Sequence, residues 1–85
     1  MKRILVTGAG GQIGSWLVPR LRNIYGDSAV LATDIRTPDT AMSEGGPFQV
    51  LDATDPGAVG QVVMRHHADA VFHLAAILSA IGERD

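Results

Sequence analysis

The stretch of this chain whose residue types and spacing point most directly to chemistry is Thr7-Gly8-Ala9-Gly10-Gly11-Gln12-Ile13-Gly14. It follows the short apolar run Ile4-Leu5-Val6 and precedes a run with helical periodicity. A glycine turn between strand and helix gathers backbone N–H groups at the helix start, where the helix dipole favours an anion. Each glycine has a physical task in such a site. Gly8 permits the tight turn out of the strand, Gly11 lets a pyrophosphate approach the backbone, and Gly14 lets the helix pack close to the sheet. A P-loop is excluded, because no Gly-Lys-Ser/Thr follows the glycines.

Asp34 extends the pattern. It closes the second apolar run about 20 residues beyond Gly14, the spacing expected of a carboxylate that accepts hydrogen bonds from ribose hydroxyls. The same charge repels a 2′-phosphate, which favours NAD over NADP as the cofactor. Taken singly, Asp34 also suits a cap or turn, and a glycine-rich turn needs no ligand. Together, in the order strand, turn, helix, strand, they argue for a dinucleotide site.

The elements that must position these residues follow from periodicity. Arg3 to Thr7 is a continuously apolar run ending in glycines, suited to a strand buried on both faces of a parallel sheet. Gln12 to about Ile24 is expected to be a helix with Ile13, Leu17, Leu21 and Ile24 along its apolar face. Trp16 and Val18 are expected on its outer surface. Pro19 removes the bond to the Ser15 carbonyl, so a bend is expected there. Gly26 is placed to cap the helix.

Ala29 to Thr33 reads as a second buried strand, and Arg36 to Pro47 as a surface loop. Phe48 to Leu51 is a short third strand. Asp55-Pro56 supplies an N-cap and a first-turn proline for a helix running to about His67. Ala70 to Ala75 is expected to be a fourth buried strand, with Ala76 to Gly82 beginning the next segment. Strands alternating with helices imply parallel pairing through right-handed crossovers, hence an α/β fold.

Composition bounds the rest. With 85 residues, 46% of them hydrophobic, a net charge of −2 and only seven Lys and Arg, no strongly basic face for nucleic acid is available. The absence of cysteine excludes disulfides and cysteine-ligated zinc, and fits a cytoplasmic protein. No apolar run approaches the ~20 residues of a membrane span, and the run after Lys2-Arg3 is too short for a signal peptide. His66, His67 and His73 fall on a helix end and a strand without a completing acid, so no metal site is expected. The pair reads as a helix terminus favouring the dipole, and His73 as a strand histidine packed beneath the cofactor.

With its glycine loop, Asp34, Asp52 after the third strand and His73-Leu74-Ala75-Ala76, the chain resembles the extended short-chain dehydrogenase/reductases, the NAD-dependent epimerase/dehydratase family. Ala32-Thr33-Asp34-Ile35-Arg36 and Leu78-Ser79-Ala80 resemble more narrowly the short-chain branch acting on L-threonine, with UDP-sugar epimerases and nucleotide-sugar dehydratases as near alternatives. The resemblance implies a partial Rossmann fold with a four-stranded parallel sheet in the order 3-2-1-4. It implies that Gly8, Gly11, Gln12, Ile13 and Gly14 cradle the pyrophosphate, and that Asp34, Ile35 and Arg36 hold the adenosine. Asp52 and Ala53 would lie at the adenine, and Leu74, Ala75 and Ala76 along the cofactor. Ser79 would touch the substrate or merely cap a helix, and Arg36 would alternatively be a solvated loop residue.

The family's chemistry uses a tyrosine base assisted by a lysine four residues later. Here the single tyrosine, Tyr25, is followed at that spacing by Ala29, and the only lysine is Lys2. No catalytic residue is therefore assigned. Residues 1–85 are expected to be the N-terminal part of one NAD-binding domain, truncated after strand four and inactive alone, the alternative being a module that binds NAD without chemistry. The small-molecule substrate would be met through the missing half, and the apolar edge left by it would promote self-association or a homo-oligomer.

Overall fold

The computed structural model describes residues 2–36 and 45–74. Four strands, β1 (Ile4–Thr7), β2 (Val30–Asp34), β3 (Phe48–Val50) and β4 (Ala70–His73), form one sheet in the order β3-β2-β1-β4. All three pairings are parallel, with Leu5 opposite Leu31 on one side and Val71 on the other. Helix α1 (Gln12–Tyr25) and a short 3-10 turn connect β1 to β2, and helix α2 (Pro56–His66) connects β3 to β4. The chain runs outward from β1 to β3, then returns to the far side of β1. That reversal leaves a switch point between β1 and β4, where open parallel sheets bind ligands beyond their carboxyl ends. This is the expected partial Rossmann arrangement.

Alternation along the strands sorts the core onto two faces. Ile4, Val6, Val30 and Ala32 pack with Val18 and Leu21 of α1 and with Leu74. Leu5 and Leu31 pack with Leu51 and with Val62 of α2. Right-handed crossovers running in opposite directions from the sheet centre put the two helices on opposite faces. Each fully buried aliphatic side chain contributes about 1.5–3 kcal/mol, so these two clusters hold the sheet between its helices.

Two expectations about the elements are corrected. The buried side of α1 carries Gly14, Val18, Leu21 and Arg22, whereas Ile13 and Ile24 are exposed. Val18, expected at the surface, is fully buried, while Trp16 is exposed beneath a stacked Arg20 guanidinium. The buried face of the helix is offset from its apolar pattern and takes in Arg22. Its Nη2 donates to the carbonyls of Pro47 at 2.6 Å and Val30 at 3.3 Å. Burial pushes its pKa down, against an opposing pull from Asp27.

The second correction concerns β4. Its residues are half-buried or exposed, Val71 and Phe72 among them, because β4 has only β1 beside it in the described sheet. The remaining boundaries differ by a residue or two from expectation. Helix α1 is one uninterrupted element through Pro19, which lies on its exposed side. Gly26, at φ 102°, caps it by donating to the Arg22 carbonyl. Asp55 caps α2 by accepting from the Ala58 N–H, and Pro56 opens it.

Candidate functional site

The glycine loop is folded back over the end of β2. Gly8 takes φ 68°, a left-handed conformation that glycine adopts without penalty. The turn delivers Ala9, whose N–H donates to the Thr33 carbonyl at 2.9 Å, and closes with Gly11 N–H on the Gly8 carbonyl at 3.3 Å. At Gly14, an added Cβ would lie 2.6 Å from Ala9 Cα, so the helix can approach the loop only with hydrogen there. Gly11 is the N-cap of α1, in extended conformation, with no side chain capping the helix and no acid in its first turn. Helical geometry leaves the N–H groups of Gln12, Ile13 and Gly14 without intrahelical partners. This is a helix N-terminus open to an anion.

Beside it stands Asp34, the last residue of β2. Its Oδ2 accepts from Gly10 N–H at 2.7 Å and its Oδ1 from Ile35 N–H at 2.6 Å. A carboxylate oxygen offers about two acceptor positions. Among the described residues each oxygen of Asp34 therefore keeps one position for a further donor. Two such positions side by side suit two neighbouring hydroxyls.

The parallel pairing of Asp34 with Val50, and the bond from Leu51 N–H to the Asp34 carbonyl at 2.8 Å, bring the end of β3 alongside. A pocket of about 160 Å³ opens there, lined by Gly8, Asp34, Ile35, Leu51, Asp52, Ala53 and Thr54. Asp52 is oriented by a local turn. Its Oδ1 accepts from the Thr54 N–H at 2.9 Å and the Thr54 hydroxyl at 2.6 Å, and these bonds hold its carboxyl below the usual carboxylate range.

The structure thus gathers Gly8, Asp34, Ile35, Asp52 and Ala53 around one pocket, with Gly11, Gln12, Ile13 and Gly14 at the adjoining helix start. Arg36 is exposed and outside the lining, and Leu74 is buried in the α1-side core. Ala75, Ala76 and Ser79 lie outside the described residues. Sequence reasoning missed Gly10, Leu51 and Thr54. The Asp-x-Thr spacing at 52–54 is a turn signal that could have found Thr54.

His66 lies in the last turn of α2 and His73 in β4, as expected, and His66 is buried there. Carbonyls only accept, so its Nε2 carries the hydrogen directed to Ile4 O at 3.0 Å and Ala29 O at 3.1 Å. Its Nδ1 then accepts from Arg3 Nη2 at 3.2 Å. His73 is exposed, with Nδ1 2.8 Å from the Thr7 hydroxyl across the β1–β4 pair. Among the described residues no group of three His, Cys, Asp or Glu could hold a metal ion, and no helix is long and apolar enough to cross a membrane.

The profile of the NAD dependent epimerase/dehydratase family matches residues 4–85. The chain belongs to this family. An epimerase/dehydratase of Staphylococcus aureus is 48% identical over the full length of the chain, which spans 27% of that relative. The structure of L-threonine dehydrogenase from Clostridium difficile superimposes with a TM-score of 0.81 at 40% identity, over 86% of this chain and 23% of that one. A uronate dehydrogenase from Agrobacterium tumefaciens, complexed with NAD, matches at 0.61 and 32%, over 87% of this chain and 26% of that one. As a piece of an epimerase/dehydratase-family fold, the described chain fits a nicotinamide dinucleotide on its own geometry. The open helix start suits the pyrophosphate, the acceptor positions of Asp34 suit a ribose diol, and the pocket before Asp52 suits a flat base.

Proposed function

We propose that this chain is the NAD(H)-binding portion of an oxidoreductase, and that the enzyme it serves is an L-threonine 3-dehydrogenase. In that reaction L-threonine becomes 2-amino-3-oxobutanoate, and bound NAD supplies the hydride acceptor. The chain's own residues bind and orient. Backbone N–H groups at Gln12 and Ile13 meet the pyrophosphate, with Gly8, Gly11 and Gly14 giving it room. Asp34 accepts the adenosine 2′- and 3′-hydroxyls, flanked by Ile35 and Arg36, and Asp52 with Ala53 lies at the adenine. Leu74 and, outside the described residues, Ala75 and Ala76 are assigned to the cofactor, and Ser79, also outside them, to the substrate.

The observation that carries this reading is the Asp34 carboxylate, anchored on both oxygens yet with one acceptor position left on each. Its charge also opposes a 2′-phosphate, which is why NAD rather than NADP is proposed. The substrate assignment is supported by threonine dehydrogenase neighbours at about 40% identity. The chain has no Tyr-x-x-x-Lys pair and is proposed to be inactive alone. Apart from Ser79, the substrate would be met by the part of the family fold that this chain does not span, in a cytoplasmic enzyme.

Calorimetric titration with NAD, and with NADP as control, tests the reading. Saturable NAD binding is expected, lost by about tenfold or more in Asp34→Ala, since a hydrogen bond to a charged group is worth roughly 1.5–3 kcal/mol. A folded chain that binds neither nucleotide overturns it. The family description favours a second reading, a nucleotide-sugar epimerase or dehydratase. Turnover of L-threonine against a UDP-sugar, by the protein that contains this segment, separates the two.

A further inference from the structure

The turn after β3 holds one carboxylate more firmly than a pocket wall requires. Thr54 donates both its backbone N–H, at 2.9 Å, and its hydroxyl, at 2.6 Å, to the same oxygen, Asp52 Oδ1. A carboxylate oxygen offers about two acceptor positions, so Oδ1 is filled. Both bonds spare Oδ2, which accepts from none of the described residues. The turn is anchored at each end. Leu51 N–H bonds the Asp34 carbonyl at 2.8 Å, and Asp55 N–H closes on the Asp52 carbonyl at 3.1 Å. Asp55 in turn caps α2. Asp52, Ala53 and Thr54 all line the pocket. A fixed backbone therefore carries a carboxylate with one oxygen occupied and the other left for a ligand.

We propose that Thr54 is a positioning and specificity residue for the base: its hydroxyl occupies Asp52 Oδ1, so that Oδ2 alone meets the ligand and selects a purine bearing an exocyclic amino group. The inference rests on the NAD-binding reading above. An ionised carboxylate only accepts. The two Thr54 bonds hold the Asp52 carboxyl below the usual carboxylate range, which keeps it an acceptor at neutral pH. An amino group meets that oxygen as a donor, whereas the carbonyl of hypoxanthine meets it as a second acceptor and is repelled. The backbone N–H is common to every residue but proline, and only the hydroxyl is particular to this side chain. Without it one acceptor position on Oδ1 opens, the carboxyl group is free to turn, and the amino group loses its fixed partner.

The test titrates NAD and nicotinamide hypoxanthine dinucleotide into the wild-type chain, Thr54→Val, Thr54→Ser and Asp52→Asn. The wild type is expected to bind NAD about tenfold more tightly than the hypoxanthine form. Thr54→Val keeps the size and the N–H and is expected to cut that ratio to about threefold or less, through weaker NAD binding. Thr54→Ser is expected to restore the ratio. Asp52→Asn is expected to show no preference, since a carboxamide both donates and accepts. A wild-type ratio in Thr54→Val, equal losses for both dinucleotides, or a serine variant that behaves like valine overturns the inference. If Thr54→Val fails to give a folded melt, Thr54→Ala removes the same hydroxyl at this exposed position and is read by the same ratio. A wild type that binds NAD without preferring it overturns this inference alone. One that binds neither dinucleotide overturns the NAD-binding reading, and this inference with it.

Discussion

Single side chains in this protein hold the backbone where a strand pattern alone would leave it loose. His66 is the clearest example, bonded to carbonyls of both Ile4 and Ala29. Replacing it by alanine removes a donor shared by two carbonyls in a buried site and is expected to cost about 1–3 kcal/mol, read from urea unfolding. Asp52 offers a second test. The Thr54 hydroxyl helps hold its carboxyl below the usual range, so Thr54→Val should raise its titration midpoint, as followed by carboxyl NMR shifts. Because the folded value is depressed, the stability linked to Asp52 is present above its unfolded pKa and is lost as pH falls through the folded one. Thr54→Val moves that loss to higher pH. Glycines and Asp34 were legible because backbone freedom and one charge suffice to define their task. His66 was not, because its partners are carbonyls that any sequence carries.

Helices and strands were legible to different degrees, for reasons of pattern. β1, β2 and the cap at Asp55 follow from apolar runs and local turn chemistry, which need no tertiary partner to be read. The phase of α1 was misjudged because hydropathy counts Arg22 as a surface residue. In the folded chain its guanidinium reaches two carbonyls through a gap beside Gly46, where a Cβ would sit 2.6 Å from Arg22 Nε. The burial of β4 was overstated because an apolar strand reads alike whether or not a neighbour covers it. Gly14 joins element to element, and its test belongs here. Gly14→Ala drives a methyl group into the Ala9 backbone, so α1 must move off the loop. Overpacking of this kind typically costs about 1–3 kcal/mol, and the loss should appear in the urea midpoint together with weakened NAD binding.

For the molecule as a whole, the order of the sheet dictates behaviour in solution. β3 and β4 are its outer strands, and β4 presents Val71 and Phe72 at 44% and 36% exposure. An apolar outer strand invites pairing with another copy, and charge at that position opposes it. The 85-residue chain is expected to self-associate or to be marginally stable, and Val71→Lys to shift light scattering toward the monomer. A sharp monomeric peak with a melt above about 60 °C would contradict this, since ordinary domains melt at about 45–65 °C.

The pocket lining has a consequence for synthesis. Every described residue that lines it lies between Gly8 and Thr54, on or just after strands joined in the order they are translated. A chain made from its N-terminus at about 5–20 residues per second has all the lining residues before the first residue of β4 exists. Assembly of the proposed adenosine side then needs α2 but no residue of β4, while the β1–β4 crevice must wait for translation to pass His73.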